Sequence, residues 1–218
     1  MTRRQTLQRI RNIHPIEDLF FKRRTLFGVD STAYEQRPVD QDTYNLSRYV
    51  GSSTRTELDS VELRFLEDYI GEKTIERRLK RPNCSLFLAR ETKGGEPVGF
   101  YWSVYTNNTP VWHDSFRIPP GSGLVFNAYV APPHRRQGIY RLLQGACHNY
   151  LFNTAGCEQV FTIVEDRNTA SMRANEKFGL QIKGKNYLIK FLSINILSVI
   201  EMSTDRQTYF VLPKGDIR

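Results

Sequence analysis

Residues 125–140 read VFNAYVAPPHRRQGIY: an apolar run ending at Val130, two prolines, a basic turn Arg135-Arg136-Gln137-Gly138, and then Ile139 and Tyr140, which open a helix. A strand that turns straight into a helix aims the turn's backbone N–H groups and the helix's unpaired first-turn amides at one point. There the helix dipole adds roughly half a positive charge. Such a terminus takes phosphate without a dedicated cation. Gly138 lets a ligand approach the backbone with no Cβ in the way, and Arg135 and Arg136 can add charge-assisted hydrogen bonds. An ordinary strand-to-helix connection with surface arginines is the competing reading of the same residues. Neither a P-loop nor a dinucleotide glycine fingerprint is present, so those two phosphate binders are not indicated.

Downstream of the turn, Ile139, Leu142, Leu143, Ala146 and Tyr150 stand at amphipathic helical spacing. A strand over 159–164 follows, then a helix that Asn168 is suited to cap, with Ala170, Ala174 and Phe178 on one face and Gly179 after its end. Alternation through 180–200 and 208–212 predicts antiparallel strands. Upstream, SLFLARE (85–91) and PVGFYWSVYT (97–106) flank Lys93-Gly94-Gly95-Glu96 and predict a hairpin. A long polar loop, 106–122, leads from it to a strand over 124–130. Thr54-x-x-Glu57 fits a capping box, and Val61, Phe65, Leu66, Tyr69 and Ile70 follow at helical spacing up to Gly71. A second short helix runs from Glu72 to Lys80, with Ile75 and Leu79 on one face. Residues 25–60 show no clear period and read as irregular. The expected class is α/β (α+β), a layered domain with a mixed sheet.

With 218 residues, 39% hydrophobic and 25% charged, the chain is large enough to bury a real core, and disorder or coiled coil is excluded as its main class. The longest apolar stretch, 189–200, is interrupted by polar residues and too short to span a bilayer. No apolar segment follows the basic N-terminus, so no secretory signal is expected. Cys84, Cys147 and Cys157 form no CxxC pair and are odd in number, which argues against a disulfide framework or a metal site and for a cytoplasmic location. Of the formal charge of +8, residues 1–24 carry +5, seven cations against Glu17 and Asp18. Solvated charge on a frayed arm is the ordinary explanation of that concentration; docking on nucleic acid or another acidic partner is the alternative.

From about Glu57 onward the chain resembles the GNAT superfamily of acyl-CoA-dependent N-acyltransferases. The family's V-x-P-x-x-R-R-x-G segment stands here as Val130-Ala131-Pro132-Pro133-His134-Arg135-Arg136-Gln137-Gly138. Its later block stands as Asn168-Thr169-Ala170-Ser171 through Glu176-Lys177-Phe178-Gly179-Leu180. The resemblance implies a mostly antiparallel central sheet flanked by helices, with a splayed strand pair forming a cleft for acetyl-CoA or another acyl-CoA as co-substrate. It implies a GNAT-like domain over 51–218 behind a basic, partly irregular extension, 1–50. It also implies that the Tyr129 and Val130 backbone holds the pantetheine and that Arg135, Arg136, Gln137, Gly138, Ile139 and Tyr140 hold the pyrophosphate. Asn168 and Ser171 would then lie along the pantetheine or near its thiol. The acceptor is an amine, no metal is called for, no membrane is crossed, nucleic acid is a secondary reading, and a homodimer is compatible with the family.

Three positions depart from the family's pattern. Tyr140 stands where a second small residue is usual in the turn. Asn175 stands where many members carry a tyrosine that protonates the departing thiolate, and asparagine is no general acid; Tyr101, Tyr105 and Tyr129 are candidate substitutes. The strand over 124–130 contains Asn127 where a glutamate base is common, so Glu165, His113 and Asp114 are the remaining candidates. Without an obvious base, an intrinsically less basic amine is the easier nucleophile. A lysine amine is neutral only to about 0.04% at pH 7, an α-amine to roughly 10–15%. The expected acceptor is therefore an α-amine, an amino sugar or another small amine. Loss of both groups also permits a catalytically degenerate acyl-CoA-binding module.

Overall fold

The computed structural model describes residues 21–34, 44–50, 57–93, 95–109, 111–113, 116–191, 194–202 and 206–210. Within them, contacts divide the chain into two compact units. One comprises Val29–Val111 and Ile118–Thr162; the other holds the remaining described residues.

The first unit is built on the hairpin. Strands β3 (Cys84–Glu91) and β4 (Pro97–Tyr105) are buried on both faces, which explains their near-continuous apolar sequences. They pair antiparallel from Cys84↔Val104 to Arg90↔Pro97. Strand β2 (Tyr44–Val50) pairs antiparallel with β3, and β7 (Ser122–Val130) does so with β4. A parallel ladder joins β7 to β8 (Gln159–Glu165) from Ser122↔Gln159 to Val125↔Thr162 and stops there, although both strands run on. One sheet face carries Leu86, Leu88, Phe100 and Trp102 against helices α1 (Ser60–Ile70) and α2 (Glu72–Leu79), through Leu66, Ile75 and Leu79. The opposite face receives α3 (Ile139–Asn153), whose Ile139, Leu143, Cys147 and Leu151 are fully buried. Two glycines allow that approach. A Cβ on Gly99 would meet the Tyr129 carbonyl oxygen at 2.9 Å and Ile139 and Leu143 at 3.2 Å; one on Gly123 would meet Leu151 at 3.0 Å.

Helix α1 starts in a different place from the one expected. Its cap is Asp59, which accepts from the Val61 and Glu62 amides, while Glu62 accepts from the Asp59 amide at 3.0 Å in a complete capping box. Thr54 lies outside the described residues. Asp59-x-x-Glu62 repeats the spacing of Thr54-x-x-Glu57, and tertiary contacts select it. Glu62, buried, accepts from Tyr49 Oη at 2.7 Å and pairs with Arg90 at 2.8 Å, and Arg90 also bonds Asp59.

The second unit contains the antiparallel run β1 (Phe21–Asp30, to Gly28), β9 (Gln181–Phe191), β10 (Ile194–Met202) and β11 (Arg206–Phe210), together with helix α4 (Thr169–Phe178). The irregular reading of 25–60 is thus corrected at both β1 and β2. The frayed-arm reading is corrected at Lys22, Arg23 and Arg24, which are strand residues with partners: Glu165 at 2.5 Å, Asp166 at 2.5 Å and the Asn186 amide oxygen at 2.9 Å. Residues 1–20 lie outside the described ones. The loop expected over 106–122 contains a two-stranded pair, β5 (Val111–His113) and β6 (Phe116–Ile118). All three cysteines are free and buried.

Candidate active site

Strand β7 does not run regularly to its end. Phe126 faces Trp102 and Tyr129 faces Phe100, so Asn127 and Ala128 together oppose Tyr101. That is a β-bulge, and Asn127 sits in it with φ 49°, a left-handed conformation that asparagine tolerates better than most residues. Asn127 thus acts in this strand through its backbone geometry. The bulge twists the strand where its ladder with β8 has already ended.

After Ala131, whose amide bonds the Val98 carbonyl at 2.8 Å, the chain makes a 3₁₀ turn over Pro132–His134 and enters the basic segment. Arg136 (φ 64°) and Gly138 (φ 85°) are both left-handed, and an added Cβ on Gly138 would meet nothing within 4 Å. The glycine is there for its backbone angle and opens onto clear space. The first bond of the α3 ladder runs from the Leu142 amide to the Gly138 carbonyl at 3.0 Å, so the amides of Ile139, Tyr140 and Arg141 precede it. No side chain caps this terminus. Arg135, Arg136, Gln137 and Gly138 are all exposed.

The turn's side chains share its construction. Arg135 Nε donates to the Val130 carbonyl at 3.0 Å, and its guanidinium lies 5.9 Å from the Tyr129 ring centre. Gln137 donates to the Pro133 carbonyl at 3.1 Å and accepts from Tyr44 Oη at 2.5 Å, tying the turn to β2. His134 Nδ1 is 3.3 Å from a Glu91 carboxylate oxygen. Tyr140 directs its ring inward, toward the buried Tyr101, 5.8 Å between centres.

The three tyrosines offered as acids differ sharply. Tyr101 is buried, and desolvation, with Tyr140 beside it, drives its pKa well above the ordinary value. Tyr105 is raised by desolvation and by Tyr150. Tyr129 is half-buried at the end of the bulge and shares a hydroxyl–hydroxyl hydrogen bond with Tyr69 of α1. Desolvation and that bond push it up to about 12, against the lowering effect of Arg135. The rings of Tyr69 and Tyr129 lie 3.6 Å apart, backed by Phe65 and Phe100. Cys157, buried, has its thiol pushed up to about 12 by desolvation, which removes it as a nucleophile.

In the second unit, Glu165 accepts from Lys22 Nζ at 2.5 Å and from Arg167 Nε at 2.9 Å. Burial pulls its carboxyl upward, but the hydrogen bonds and charges of those two cations overcome it and hold the group below its usual range. A carboxylate held this way is a weak base. Asp166 beside it binds Thr25 Oγ1 at 2.7 Å, Arg23 and Lys185. Asn168 caps α4, its Oδ1 accepting from the Ser171 amide at 3.1 Å. Asn175 is buried, and its Nδ2 donates to the Ser171 carbonyl at 2.8 Å. His113 is half-buried in β5, and Asp114 lies outside the described residues.

The structure therefore gathers Asn127, Tyr129, Val130 and Arg135 to Tyr140 in the first unit. It places Glu165, Asn168 and Ser171 in the second, engaged in contacts of their own. Tyr69 and Phe65, read from the sequence as helix-face residues only, join the first group. The signal for them was present: Phe65 and Tyr69 are one helical turn apart, and both are aromatic.

A model of the acetyltransferase (GNAT) family matches residues 52–180. No curated protein matches the chain by sequence. Among solved structures, a protein from Drosophila is similar with a TM-score of 0.56 at 12% identity, over 87% of this chain and 58% of that one. The tandem GNAT protein of the clavulanic acid biosynthesis pathway gives 0.53 at 16%, over 74% and 50%. A GCN5-related N-acetyltransferase from Sphaerobacter thermophilus gives 0.53 at 14%, over 85% and 55%. At these identities the likeness is one of fold, and the chain spans 50–58% of the length of these proteins.

Proposed function

The chain belongs to the GNAT acetyltransferase family, and from that premise we propose that it transfers an acetyl group, or another acyl group, from acyl-CoA to a primary amine of a small molecule or an α-amine. The observation that carries this reading is the α3 terminus. It is uncapped and exposed, with two left-handed residues and open space over Gly138, beside a strand that bulges where its ladder ends. When bound, the acyl-CoA supplies an activated thioester.

The amides from Arg136 to Tyr140 hold the pyrophosphate, with Arg135 and Arg136 adding charge. The main chain at Tyr129 and Val130 holds the pantetheine, and amides at the bulge donate to the carbonyl oxygen as charge develops on it. The amine nitrogen attacks the thioester carbon, the thiolate departs, and the nitrogen loses a proton. Tyr129, hydrogen-bonded to Tyr69, stands as the group nearest the bulge able to pass a proton. Positioning provides most of the rate. Asn168 and Glu165 serve their own unit, the first as the cap of α4 and the second as the partner of Lys22 and Arg167. With three unpaired thiols, a reducing compartment such as the cytoplasm suits the chain.

Calorimetric titration with acetyl-CoA and free CoA, followed by a thiol-release assay with an amine panel, tests this. Micromolar binding with amine-dependent thiol release is expected; no binding of either cofactor would sink it. The buried Asn175 favours a second reading, an acyl-CoA-binding module without turnover, which predicts the same titration and no thiol release.

A further inference from the structure

Tyr69 is among the few large hydrophobic residues exposed among the described ones, 46% accessible, and it stands in no isolated position. Its ring lies against Tyr129, with Phe65 at 5.7 Å and Phe100 at 6.2 Å. Tyr129 belongs to the strand segment just past the bulge, so this aromatic wall is continuous with the candidate reacting edge of β7.

The charge around it is equally specific. Neither β4 nor β7 carries a carboxylate. Glu62, the buried carboxylate of α1, is taken up by Arg90 and Tyr49. On α1, exposed Asp68 stands one helical turn from Arg64, and half-buried Glu67 has a partner of its own. Over the Tyr129 ring stands a cation, Arg135. A polycationic acceptor would find here, among the described residues, no buried carboxylate left unpartnered. A flat apolar body would find ring faces, which reward stacking beyond the area buried.

We propose that Phe65, Tyr69 and Tyr129 form the acceptor wall of this site and select a primary amine carrying a flat aromatic body over an amino sugar, with Tyr69 as the specificity-determining residue. The inference rests on the acyltransferase reading and deepens it.

The test compares 2-phenylethylamine and tryptamine with glucosamine and kanamycin as acceptors, using the full-length wild type, Tyr69→Phe and Tyr69→Ala. Acetyl-CoA binding is measured calorimetrically for each protein, and thermal melting checks the fold. The wild type is expected to show a KM for the aromatic amines lower by about tenfold or more than that for the amino sugars. Tyr69→Ala should raise the aromatic KM by about tenfold and the glucosamine KM far less, with acetyl-CoA affinity unchanged, while Tyr69→Phe, which keeps the ring, should hold the aromatic KM near wild type even where kcat falls with the lost hydroxyl bond to Tyr129. A preference for amino sugars, or an aromatic KM untouched in Tyr69→Ala, overturns the proposal and leaves the acyltransferase reading standing. Failure of wild type to bind acetyl-CoA removes both, and calorimetry reads that without any acceptor present.

Discussion

Two helices follow parallel-running connections out of strands, and they begin in opposite ways. Helix α4 is closed by its own sequence: Asn168 accepts from the Ser171 amide, and Asn175 one turn on is buried against the same residue. Helix α3 begins at a glycine with φ 85°, has no side-chain cap, and exposes the residues that precede it. Both N-termini carry the same dipole and the same orphan amides. What separates them is whether the chain satisfies those amides itself or leaves them for a ligand.

Reversing the open terminus should have the largest effect. Gly138→Glu forces a side chain into a left-handed position, at about 1–2 kcal/mol, and sets a carboxylate at the proposed pyrophosphate site. Acetyl-CoA affinity should fall by about a hundredfold or more, read by calorimetry; retained affinity would mean that the open terminus is not the phosphate site.

The two helices also differ in what they bury. Helix α4 buries an amide at Asn175, whereas α3 buries His148, whose Nδ1–H donates to the Gln144 carbonyl at 2.8 Å. Desolvation lowers the His148 pKa from 6.5 to about 4. Between those values the unfolded chain binds the proton that the folded chain refuses. Stability from this group is therefore complete above pH 6.5 and is lost as pH falls toward 4, by about 3 kcal/mol in all. Melting temperature should drop on the order of 5–10 °C across that window, and His148→Phe should flatten the profile. Asp59, Glu165 and Asp166, whose pKa values are lowered from 3.8, 4.5 and 3.8, add stability that is complete above those values and is lost at the acid end of that window and below it.

Packing under α3 gives the next effect. Gly99→Ala pushes a Cβ to 2.9 Å from a backbone oxygen, which cannot swing aside. A loss of about 1–3 kcal/mol is expected, seen as a lower denaturant midpoint; a neutral outcome would show that α3 shifts freely on the sheet. The smallest effect belongs to the closed terminus. Asn168→Ala should cost about 1 kcal/mol of stability while acetyl-CoA affinity stays within about threefold. A larger drop in affinity would show that the cap also serves the cofactor and would blur the contrast between the two helices.

How far the sequence disclosed this arrangement depended on how local the cause was. The basic turn, the β3–β4 hairpin, α3, α4 and the C-terminal strands follow from periodicity and caps, which neighbouring residues set. Strand β1 was invisible because its basic residues make sense only beside Glu165, Asp166 and Asn186, more than 140 positions away. The cap of α1 was misplaced because two boxes of the same spacing stand next to each other in the sequence, and a contact from Arg90 to Glu62 favours the second. Asn127 read as a lost carboxylate, whereas a bulge is a property of two strands counted against each other.

That bulge has a further consequence, best put as parity. Phe126 and Tyr129 are three apart, an odd number, and a regular strand would send them to opposite faces; both pack on the α1 side. The extra residue changes the phase of the strand, so Phe126 and the residues before it are written in one frame and Tyr129 and Val130 in the other. Removing Ala128 would restore a single frame and turn the Tyr129 ring toward α3. Substitutions can adjust the aromatic wall residue by residue; a one-residue deletion would move it to the other side of the sheet.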